Sequence, residues 1–255
     1  MPVAEENITD LIAKRGAEPG FDRWVRRNQS AHYQPGYANV SISLKSIGRP
    51  PGDASASEME ALADVAETYG QDEIRVTYAQ NLVIPHIKLR DLYAVYTTLA
   101  EMGLAGAEDG LISDMIVCPG LDYCNLANAR SLPLADKIFR RFDDPEHRQD
   151  IGNLRLNISG CINACGHHHA ADIGILGVNK KGVEHYQISI GGKAGESAEV
   201  GRILGPSFDE DNVVAAIERV ITFYKDQRLS PDEDFAAVLA RIDIAHFKEA
   251  VYAYA

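Results

Sequence analysis

Four cysteines give the sequence its strongest chemical signal, and they fall into two pairs. Cys118 and Cys124 stand six positions apart in CPGLDYC, and Cys161 and Cys165 stand four positions apart in CINAC. The 36 residues between the pairs are enough for a helix and a returning strand. Four thiolates can hold either a zinc ion or an iron–sulfur cluster, so the pattern indicates a metal centre.

The spacing favours one kind of centre over the alternatives. Disulfides are disfavoured because MPVAEENITD is too acidic and polar for a secretion signal, and cytoplasmic thiols stay reduced. Structural zinc prefers short C-x2-C pairs, which the spacings C-x5-C and C-x3-C match poorly. An iron–sulfur cluster is wider than one ion, so its ligands tolerate longer spacings. The sequence therefore favours a cluster and leaves zinc as the alternative.

Composition and charge exclude several classes of protein. With 255 residues, of which 45% are hydrophobic, the chain is large enough for one large domain or two small ones. Its longest apolar runs, NLVIPHI and ADIGILGV, are far shorter than the roughly 20 residues that span a bilayer. A net charge of -12 argues against general nucleic-acid binding, which needs clustered Lys and Arg. We therefore expect a cytoplasmic protein that binds neither membrane nor nucleic acid.

The elements before the cysteines predict a small sandwich. Residues 1–36 are interpreted as a polar N-terminal arm or linker that ends in the turn at Pro35 and Gly36. Residues 37–108 then alternate strand, helix, strand and helix, through YANVSISLK, a helix capped by Ser57 with Glu60, EIRVTYAQNLVIP and LRDLYAVYTTLAEMG. The first helix is expected to bury one face, made of Met59, Leu62, Val65, Ala66 and Tyr69. This order is typical of an α+β sandwich.

Residues 109–228 are predicted to form a second α+β domain, which carries the cysteines. A helix is expected to begin near Pro133, followed by an acidic turn in DDPEHRQD and three β-rich stretches, LRLNISG, ADIGILGV and HYQISIGG. A further helix in DEDNVVAAIERVITFYKDQR places its apolar residues at helical spacing. Residues 229–255 are interpreted as a C-terminal tail.

Several of these segments together resemble a known family. The two cysteine pairs, SGCINACGHHHAADIGILG, QPGYANVSISLKSIGRPPGD and EIRVTYAQNLVIP are similar to the C-terminal half of siroheme-containing nitrite and sulfite reductases, above all the hemoprotein of bacterial assimilatory sulfite reductase. The resemblance implies a ferredoxin-like α/β sandwich half-domain followed by an α+β domain that binds a 4Fe-4S cluster and siroheme. It makes cluster ligands of Cys118, Cys124, Cys161 and Cys165. Cys165 becomes the axial ligand shared with the siroheme iron, and hence the catalytic residue.

Other residues of the second cysteine segment are candidate cofactor contacts. Asn163 lies between two cysteines and either donates a hydrogen bond to cluster or siroheme, or forms a turn. His167 or His169 is expected to donate to siroheme, whereas three adjacent histidines on a strand cannot all reach one metal ion. Gly160 and Gly166 are expected where the backbone approaches the cofactor closely or adopts positive φ.

The resemblance implies an enzyme that reduces sulfite to sulfide with six electrons in sulfur assimilation. Electrons would come from a flavoprotein or ferredoxin. Two alternatives stay open, which are reduction of nitrite to ammonia and a heme-free electron carrier that keeps the cluster.

The supply of positive charge predicts a missing partner. Siroheme carries many carboxylates and the substrate is a small oxyanion, so the site needs several Arg and Lys, which family members supply mostly from an N-terminal half. The nearest basic residues here are Arg130, Lys180, Lys181, Lys193 and Arg202. We therefore expect the chain to work with an N-terminal half, in the same polypeptide or a second chain, or to pair with itself.

Overall fold

The computed structural model describes residues 5–253 and divides the chain into two compact units. The first unit comprises the chain up to Lys45 together with Gly52–Asp109, and the second comprises Ser46–Pro51 together with the chain from Gly110 onward. Both units mix helices and strands, which confirms the predicted α+β class. The boundaries at residues 37, 109 and 229 remain predictions.

The first unit is built on an antiparallel sheet. In chain order its elements are α1 (Glu5–Ala17), α2 (Pro19–Asn28), β1 (Gln29–Ala31), β2 (Tyr37–Ser43), α3 (Ala56–Tyr69), β3 (Arg75–Val76), β4 (Asn81–Lys88) and α4 (Leu92–Glu101). The strand order is β1-β2-β4-β3. Along β2 the residues Ala38, Val40 and Ile42 are buried and their neighbours are more exposed, as the alternation in the sequence predicts.

Two helices lie where the sequence analysis expected only a polar arm. Pro19 stands at the start of α2, a position that suits proline because its missing N–H has no helical partner there. Phe21, Trp24 and Val25 of this helix are buried in the core of the first unit. The segment predicted as a polar arm therefore contributes α2 to the core of the first unit.

The helix α3 begins two residues earlier than predicted. Its N-cap is Ser55, whose hydroxyl accepts the N–H of Glu58, while the Glu58 carboxylate accepts the N–H of Ser55. The predicted cap, Ser57 with Glu60, is wrong. It has the same capping-box spacing as Ser55 with Glu58, and the sequence alone does not distinguish the two pairs. Leu62, Val65 and Ala66 are buried as expected, but Met59 is 61% exposed.

The segment EIRVTYAQNLVIP is a hairpin and not one strand. Its two strands, β3 and β4, pair antiparallel, and the N–H of Thr77 donates to the carbonyl of Asn81 at the turn. Gln80, at φ +58°, occupies the left-handed region in this turn. The turn breaks the apparent strand because Gln80 reverses the chain just before the buried Asn81.

The second unit is built on a mixed sheet. In chain order its elements are β5 (Ile116–Val117), α5 (Leu132–Arg141), α6 (Pro145–Ile151), β6 (Leu156–Ser159), β7 (Ile173–Lys180), β8 (Val183–Ile190), β9 (Arg202–Ile203), α7 (Glu210–Gln227), α8 (Phe235–Arg241) and α9 (Ile244–Tyr252). The strands follow the order β5-β6-β7-β8-β9. The pairs β5–β6 and β6–β7 are parallel, and the other two are antiparallel.

The predicted helices of the second unit are confirmed, and two further segments are corrected. The helix α5 begins at Leu132 with Pro133 in its first turn, and the apolar residues predicted for α7 are all buried, namely Val213, Ile217, Val220, Ile221 and Tyr224. The stretch DDPEHRQD is not a turn, because Asp144 caps the helix α6 by accepting the N–H of Glu146. The expected tail contains α8 and α9, capped by Asp234 and Asp243, and its Phe235 and Phe247 are buried in the core.

Among residues 5–253, no helix has the length and apolar character needed to cross a membrane.

Candidate functional site

The sheet of the second unit brings the two cysteine segments to one edge. Cys118 follows β5 directly, and Cys161 comes two residues after β6. These two strands are parallel neighbours, and the N–H of Cys118 donates to the carbonyl of Ile158 at 3.0 Å. Because the carboxyl ends of parallel strands lie at the same edge of a sheet, the first cysteine of each pair is placed there by the strand pairing.

Backbone hydrogen bonds hold the two segments against each other. The N–H groups of Asn128 and Ala129 both donate to the carbonyl of Gly160, at 2.8 and 3.1 Å. In return, the N–H of Gly160 donates to Sγ of Cys118 at 3.1 Å. A hydrogen bond to sulfur stabilises a thiolate and is one of the factors that tune an iron–sulfur cluster. Cys118 is thus in direct contact with the loop that carries Cys161 and Cys165.

Glycines allow this close approach. A Cβ added at Gly160 would lie 2.8 Å from Cα of Gly120 and 2.8 Å from the carbonyl oxygen of Ala129. At Gly166 an added Cβ would lie 2.0 Å from the carbonyl oxygen of Ile158. Gly160 and Gly166 therefore pack closely against protein backbone, and neither has positive φ. Their expected approach to the cofactor stays a prediction. The sequence analysis missed Gly120, at φ +63°, although it follows Cys118 within the motif.

The four thiols differ in exposure. All four cysteines are free, Cys118 and Cys161 are buried, Cys124 is half-buried and Cys165 is exposed. Within residues 5–253, no group of three or more His, Cys, Asp or Glu side chains converges as it would on a single metal ion. The arrangement is two thiol-bearing loops joined by their backbones, with Cys165 the most open to a further ligand.

Two tight turns place Cys165 on the outside of the second loop. Ala164 and His167 both occupy the left-handed region, at φ +56° and +54°. The N–H of Ala164 donates to the carbonyl of Cys161 at 3.1 Å, and the N–H of His167 donates to the carbonyl of Ala164 at 2.7 Å. Asn163 is exposed and lies inside the first of these turns, so its two predicted roles, hydrogen-bond donor and turn former, are both open.

The three adjacent histidines do not lie on a strand, so that premise of the sequence analysis is wrong. His167 precedes a 3-10 turn formed by His168–Ala170. His167 and His169 are exposed, whereas His168 is buried, and burial, assisted by the neighbouring His169, lowers the pKa of His168 to about 4. His168 is therefore a neutral packing residue, and the two predicted donors remain accessible.

The basic residues nearest the cysteine motifs in the sequence lie in three kinds of place, which are an ion pair, a cavity and the exposed surface. The Arg130 guanidinium lies 3.1 Å from the Glu184 carboxylate, and this negative charge raises the pKa of Arg130. Lys193 and Arg202 line a cavity of about 530 Å³ that also contains Asp172 and Glu199. Lys180 and Lys181 are exposed. Arg130 is thus already neutralised by protein, whereas Lys193 and Arg202 face a shared space.

Asp172, directly before β7, is a buried titratable residue that was not among the sequence-based candidates. Its carboxylate accepts the N–H of Arg155 at 2.8 Å, and burial raises its pKa to about 6. The signal was present in the sequence as an acidic residue directly before the apolar run of β7, where a carboxyl group has little access to water.

Two family descriptions match the chain. The nitrite and sulphite reductase 4Fe-4S domain matches residues 109–255, and the nitrite/sulfite reductase ferredoxin-like half domain matches residues 46–102. These matches confirm the order of the two predicted domain types, with the ferredoxin-like half first.

Individual relatives include both nitrite and sulfite reductases. The ferredoxin–nitrite reductase of Synechococcus elongatus is 32% identical over 72% of this chain and 36% of its own length. Sulfite reductase (ferredoxin) 2 of Mycolicibacterium paratuberculosis is 30% identical over 82% of this chain and 39% of its own length. The chain therefore spans little more than a third of the curated relatives that it matches.

Solved structures show the same fold. The Mycobacterium tuberculosis NirA protein superposes with a TM-score of 0.67 at 27% identity, over 86% of this chain and 41% of the other. Dissimilatory sulfite reductase I reaches the same TM-score of 0.67 at 13% identity, over 84% of this chain and 69% of the other, and at that identity only the fold is comparable.

Proposed function

Because the chain belongs to the nitrite and sulphite reductase family, whose 4Fe-4S domain matches more than half of it, we propose that it is the cofactor-bearing part of a sulfite reductase. Reductases of this family carry a 4Fe-4S cluster and siroheme, the two cofactors that the resemblance implies. One observation carries the proposal for this chain, namely the contact of Gly160 N–H with Cys118 Sγ, which joins the two cysteine loops at one sheet edge.

The four cysteines would contact the cofactors from both buried and exposed positions. Cys118, Cys124, Cys161 and Cys165 would hold the cluster, and Cys165, the exposed thiol, would be shared with the siroheme iron. When bound, the two cofactors would relay electrons from the donor and supply the iron that binds the oxyanion. Asn163, His167 and His169 flank Cys165 on exposed backbone and would donate hydrogen bonds to the cofactors.

The chain's own contribution is positioning and charge stabilisation. The Gly160 N–H donates to Cys118 Sγ and so fixes the position of this ligand, and burial of Cys118 and Cys161 would shield these two ligands from water. The turns closed by Ala164 and His167 direct Cys165 away from the core. A rigid buried side and an open side are what a ligand shared between two cofactors requires.

Sulfite is the proposed substrate and nitrite is the alternative. Relatives named for each substrate match at similar identity, 30% for a sulfite reductase and 32% for a nitrite reductase. Both anions are small oxyanions that bind through their central atom. The names of these relatives support ferredoxin as the electron donor, with a flavoprotein as the second candidate.

The proposal includes an N-terminal half that completes the site. The two relatives quoted extend well beyond the matched region, since the chain covers 36% and 39% of them. Within the second unit the Arg130 charge is already taken by Glu184, and Lys193 and Arg202 share their cavity with two acidic residues. Lys180 and Lys181 are exposed and are the remaining basic residues of this set. The proposal is that further cations come from elsewhere, in the same polypeptide, a second chain or a second copy. A cytoplasmic location is part of the proposal.

Metal and heme content test the cofactor assignment. Chain purified under anaerobic conditions should contain about four iron atoms in a cluster and show the Soret and red bands of siroheme in the visible spectrum. Iron without these bands would favour the heme-free electron carrier. Stoichiometric zinc without iron would contradict the proposal.

The shared role of Cys165 is tested by comparing two serine variants. Cys165→Ser should reduce both siroheme and cluster content, whereas Cys118→Ser should affect siroheme only through loss of the cluster. Iron analysis and the visible spectrum measure both contents. Unchanged siroheme and cluster in Cys165→Ser would show that its axial role is wrong.

Activity tests the substrate and the need for a partner. Sulfite and nitrite reduction by a reduced dye should be weak for the chain alone and rise with a co-expressed N-terminal half. The ratio of kcat/KM for the two anions then identifies the substrate. Full turnover by the chain alone would place the substrate cations within these 255 residues.

A further inference from the structure

The first unit contains a second group of metal-ligating side chains, far along the sequence from the cysteines. His32 Nε2 lies 2.9 Å from His86 Nδ1, and His86 Nε2 lies 3.1 Å from the Glu73 carboxylate. His32 comes from the turn after β1, His86 from β4 and Glu73 from the segment before β3. We propose that the His32–His86 pair binds a divalent late first-row transition metal ion.

The backbone holds His86 in place. Its φ of +62° is unusual for a residue other than glycine. It lies at a bulge, where Pro85 and His86 stand opposite the single residue Asn39 of β2. Residues held in such conformations cluster at functional sites because the surrounding structure must maintain them. The imidazole is only 15% exposed and is contacted at both ring nitrogens.

Each histidine has an oxygen acceptor at its outer nitrogen. Metal-binding histidines donate their other N–H to a carboxylate or a backbone carbonyl, which fixes the ring orientation. Here His86 Nε2 faces Glu73, and His32 Nδ1 lies 3.4 Å from the carbonyl oxygen of Gln34.

Binding requires a change of tautomer at His32 and no net loss of protons. Without metal, the N–H of Gln34 donates to His32 Nδ1 at 3.0 Å, so the ring proton is on Nε2 and is shared with His86. With metal on Nε2, that proton moves to Nδ1 and is donated to the Gln34 carbonyl. In the metal-bound arrangement the Gln34 N–H loses the His32 ring as its acceptor, so Gln34, which is exposed, must adjust slightly and bond to water instead.

The distance between the inner nitrogens is close to that of two ligands on one ion. Metal–nitrogen bonds of about 2.0–2.1 Å at a tetrahedral angle separate two nitrogens by about 3.3 Å. The present separation is 2.9 Å, so the rings must move apart by only a few tenths of an ångström. Among the described residues no third His, Cys, Asp or Glu completes the set, so water fills the other positions. His32 is only half-buried, and the Tyr33 ring that packs against it is exposed, so water reaches the pair from the His32 side.

Imidazole as the only protein ligand sets the class of metal. Nitrogen donors suit zinc, copper and nickel, whereas calcium and magnesium require oxygen. Zinc is the practical probe because it is diamagnetic and does not oxidise the thiols of the second unit.

The test follows the histidine rings by NMR while zinc chloride is added to the full chain, purified with its cluster. The ring signals of His32 and His86 should shift at the same zinc concentration, and His32 should change from the Nε2–H to the Nδ1–H tautomer. Because each ring is observed separately, zinc bound at the cysteines does not confuse the result. Ring signals of the pair that stay unchanged at zinc concentrations that shift His246 would overturn the proposal.

Four variants sharpen the test. His32→Gln and His86→Gly should each weaken zinc binding at the remaining ring at least about tenfold, and Glu73→Gln about 10- to 100-fold, as for other outer-shell partners. Glycine suits the φ of His86, so His86→Gly should keep the fold, which circular dichroism checks. The control is His246→Gln. His246 lies 3.8 Å from Glu249 and is not part of the His32–His86 pair. Unchanged affinity in His32→Gln would also overturn the proposal.

Discussion

The two units hold their irregular segments in different ways. In the first unit, side chains hold the unusual backbone, since His86 is bonded through its ring to His32 and Glu73. In the second unit, backbone contacts backbone, and Gly160 and Gly166 leave no space for a methyl group. Side-chain contacts can be exchanged one at a time, whereas a backbone contact is lost only when the chain itself moves. The second unit should therefore be much less tolerant of small additions.

The largest effect is expected for Gly166→Ala. The added Cβ would lie 2.0 Å from the carbonyl oxygen of Ile158, so β6 or the cysteine loop must move. We expect a loss of at least about 4 kcal/mol in the free energy of unfolding of the second unit, together with loss of iron. Urea unfolding followed by circular dichroism measures the first quantity.

The same substitution at Gly16 is the control, because nothing lies within 4 Å of a Cβ added there. Alanine in this helix should change stability by no more than about 1 kcal/mol, in the stabilising direction. A Gly166→Ala chain as stable as the Gly16→Ala chain would break the comparison between the units.

Asp172→Asn should stabilise the second unit at neutral pH. Burial raises the pKa of Asp172 to about 6, so the folded state binds its proton more tightly than the unfolded state does. Its contribution to stability is complete below about pH 4 and is lost as pH rises through about 6. Asparagine still accepts the Arg155 N–H, so the variant should gain about 1–3 kcal/mol at pH 7.5.

Urea unfolding at pH 4 and pH 7.5 checks this prediction. The difference between Asp172→Asn and the parent chain should disappear at the lower pH. An equal difference at both values would show that the carboxyl group is not desolvated in the fold.

Ser55→Ala should cost the first unit about 1 kcal/mol, as loss of an N-cap usually does. Ser57→Ala, the matched control, should change stability by less than about 0.5 kcal/mol. The single tryptophan, Trp24, is buried in the first unit, so its fluorescence reports the unfolding of that unit. A larger loss of stability in Ser57→Ala than in Ser55→Ala would show that Ser57 is the N-cap, as the sequence predicts.

The smallest effect is expected for His86→Gly. Loss of two hydrogen bonds of about 0.5–1.5 kcal/mol each is offset by relief of about 1–3 kcal/mol of backbone strain. His86→Ala loses the same bonds and keeps the strain, so it should be less stable than His86→Gly by about 1 kcal/mol. Equal stability of the two variants, by Trp24 fluorescence, would show that the backbone at residue 86 is unstrained.

What the sequence could predict depended on how many residues carried each signal. The helix α7 has 18 residues and a complete apolar face, so its period is unambiguous. The helix α2 has ten residues, and its charged residues outnumber the three large apolar ones that it buries. Two serine–glutamate frames overlap at the start of α3, and only packing selects Ser55. Short elements and competing caps are decided by tertiary contacts.

The same limit applies to the candidate site. The cysteines and their grouping follow from residue types and spacing alone. The contact of Cys118 with Gly160 depends on the register of β5, which has only two residues and no readable period. His32 and His86 are 54 positions apart and meet because of the bulge at His86, so no local sequence pattern predicts the pair.

The mixed sheet of the second unit also implies an order of assembly. The strands β7 and β8 pair over eight positions across the two-residue turn Lys181–Gly182, so this hairpin is local and forms quickly. The strand β5 pairs at only two positions with a strand about forty residues away, and such distant contacts form late. Cys118 therefore gains its Gly160 hydrogen bond near the end of folding. Until then the Cys118 thiol would be unprotected, so we expect Cys118 itself to be most vulnerable to oxidation in the interval before β5 joins the sheet.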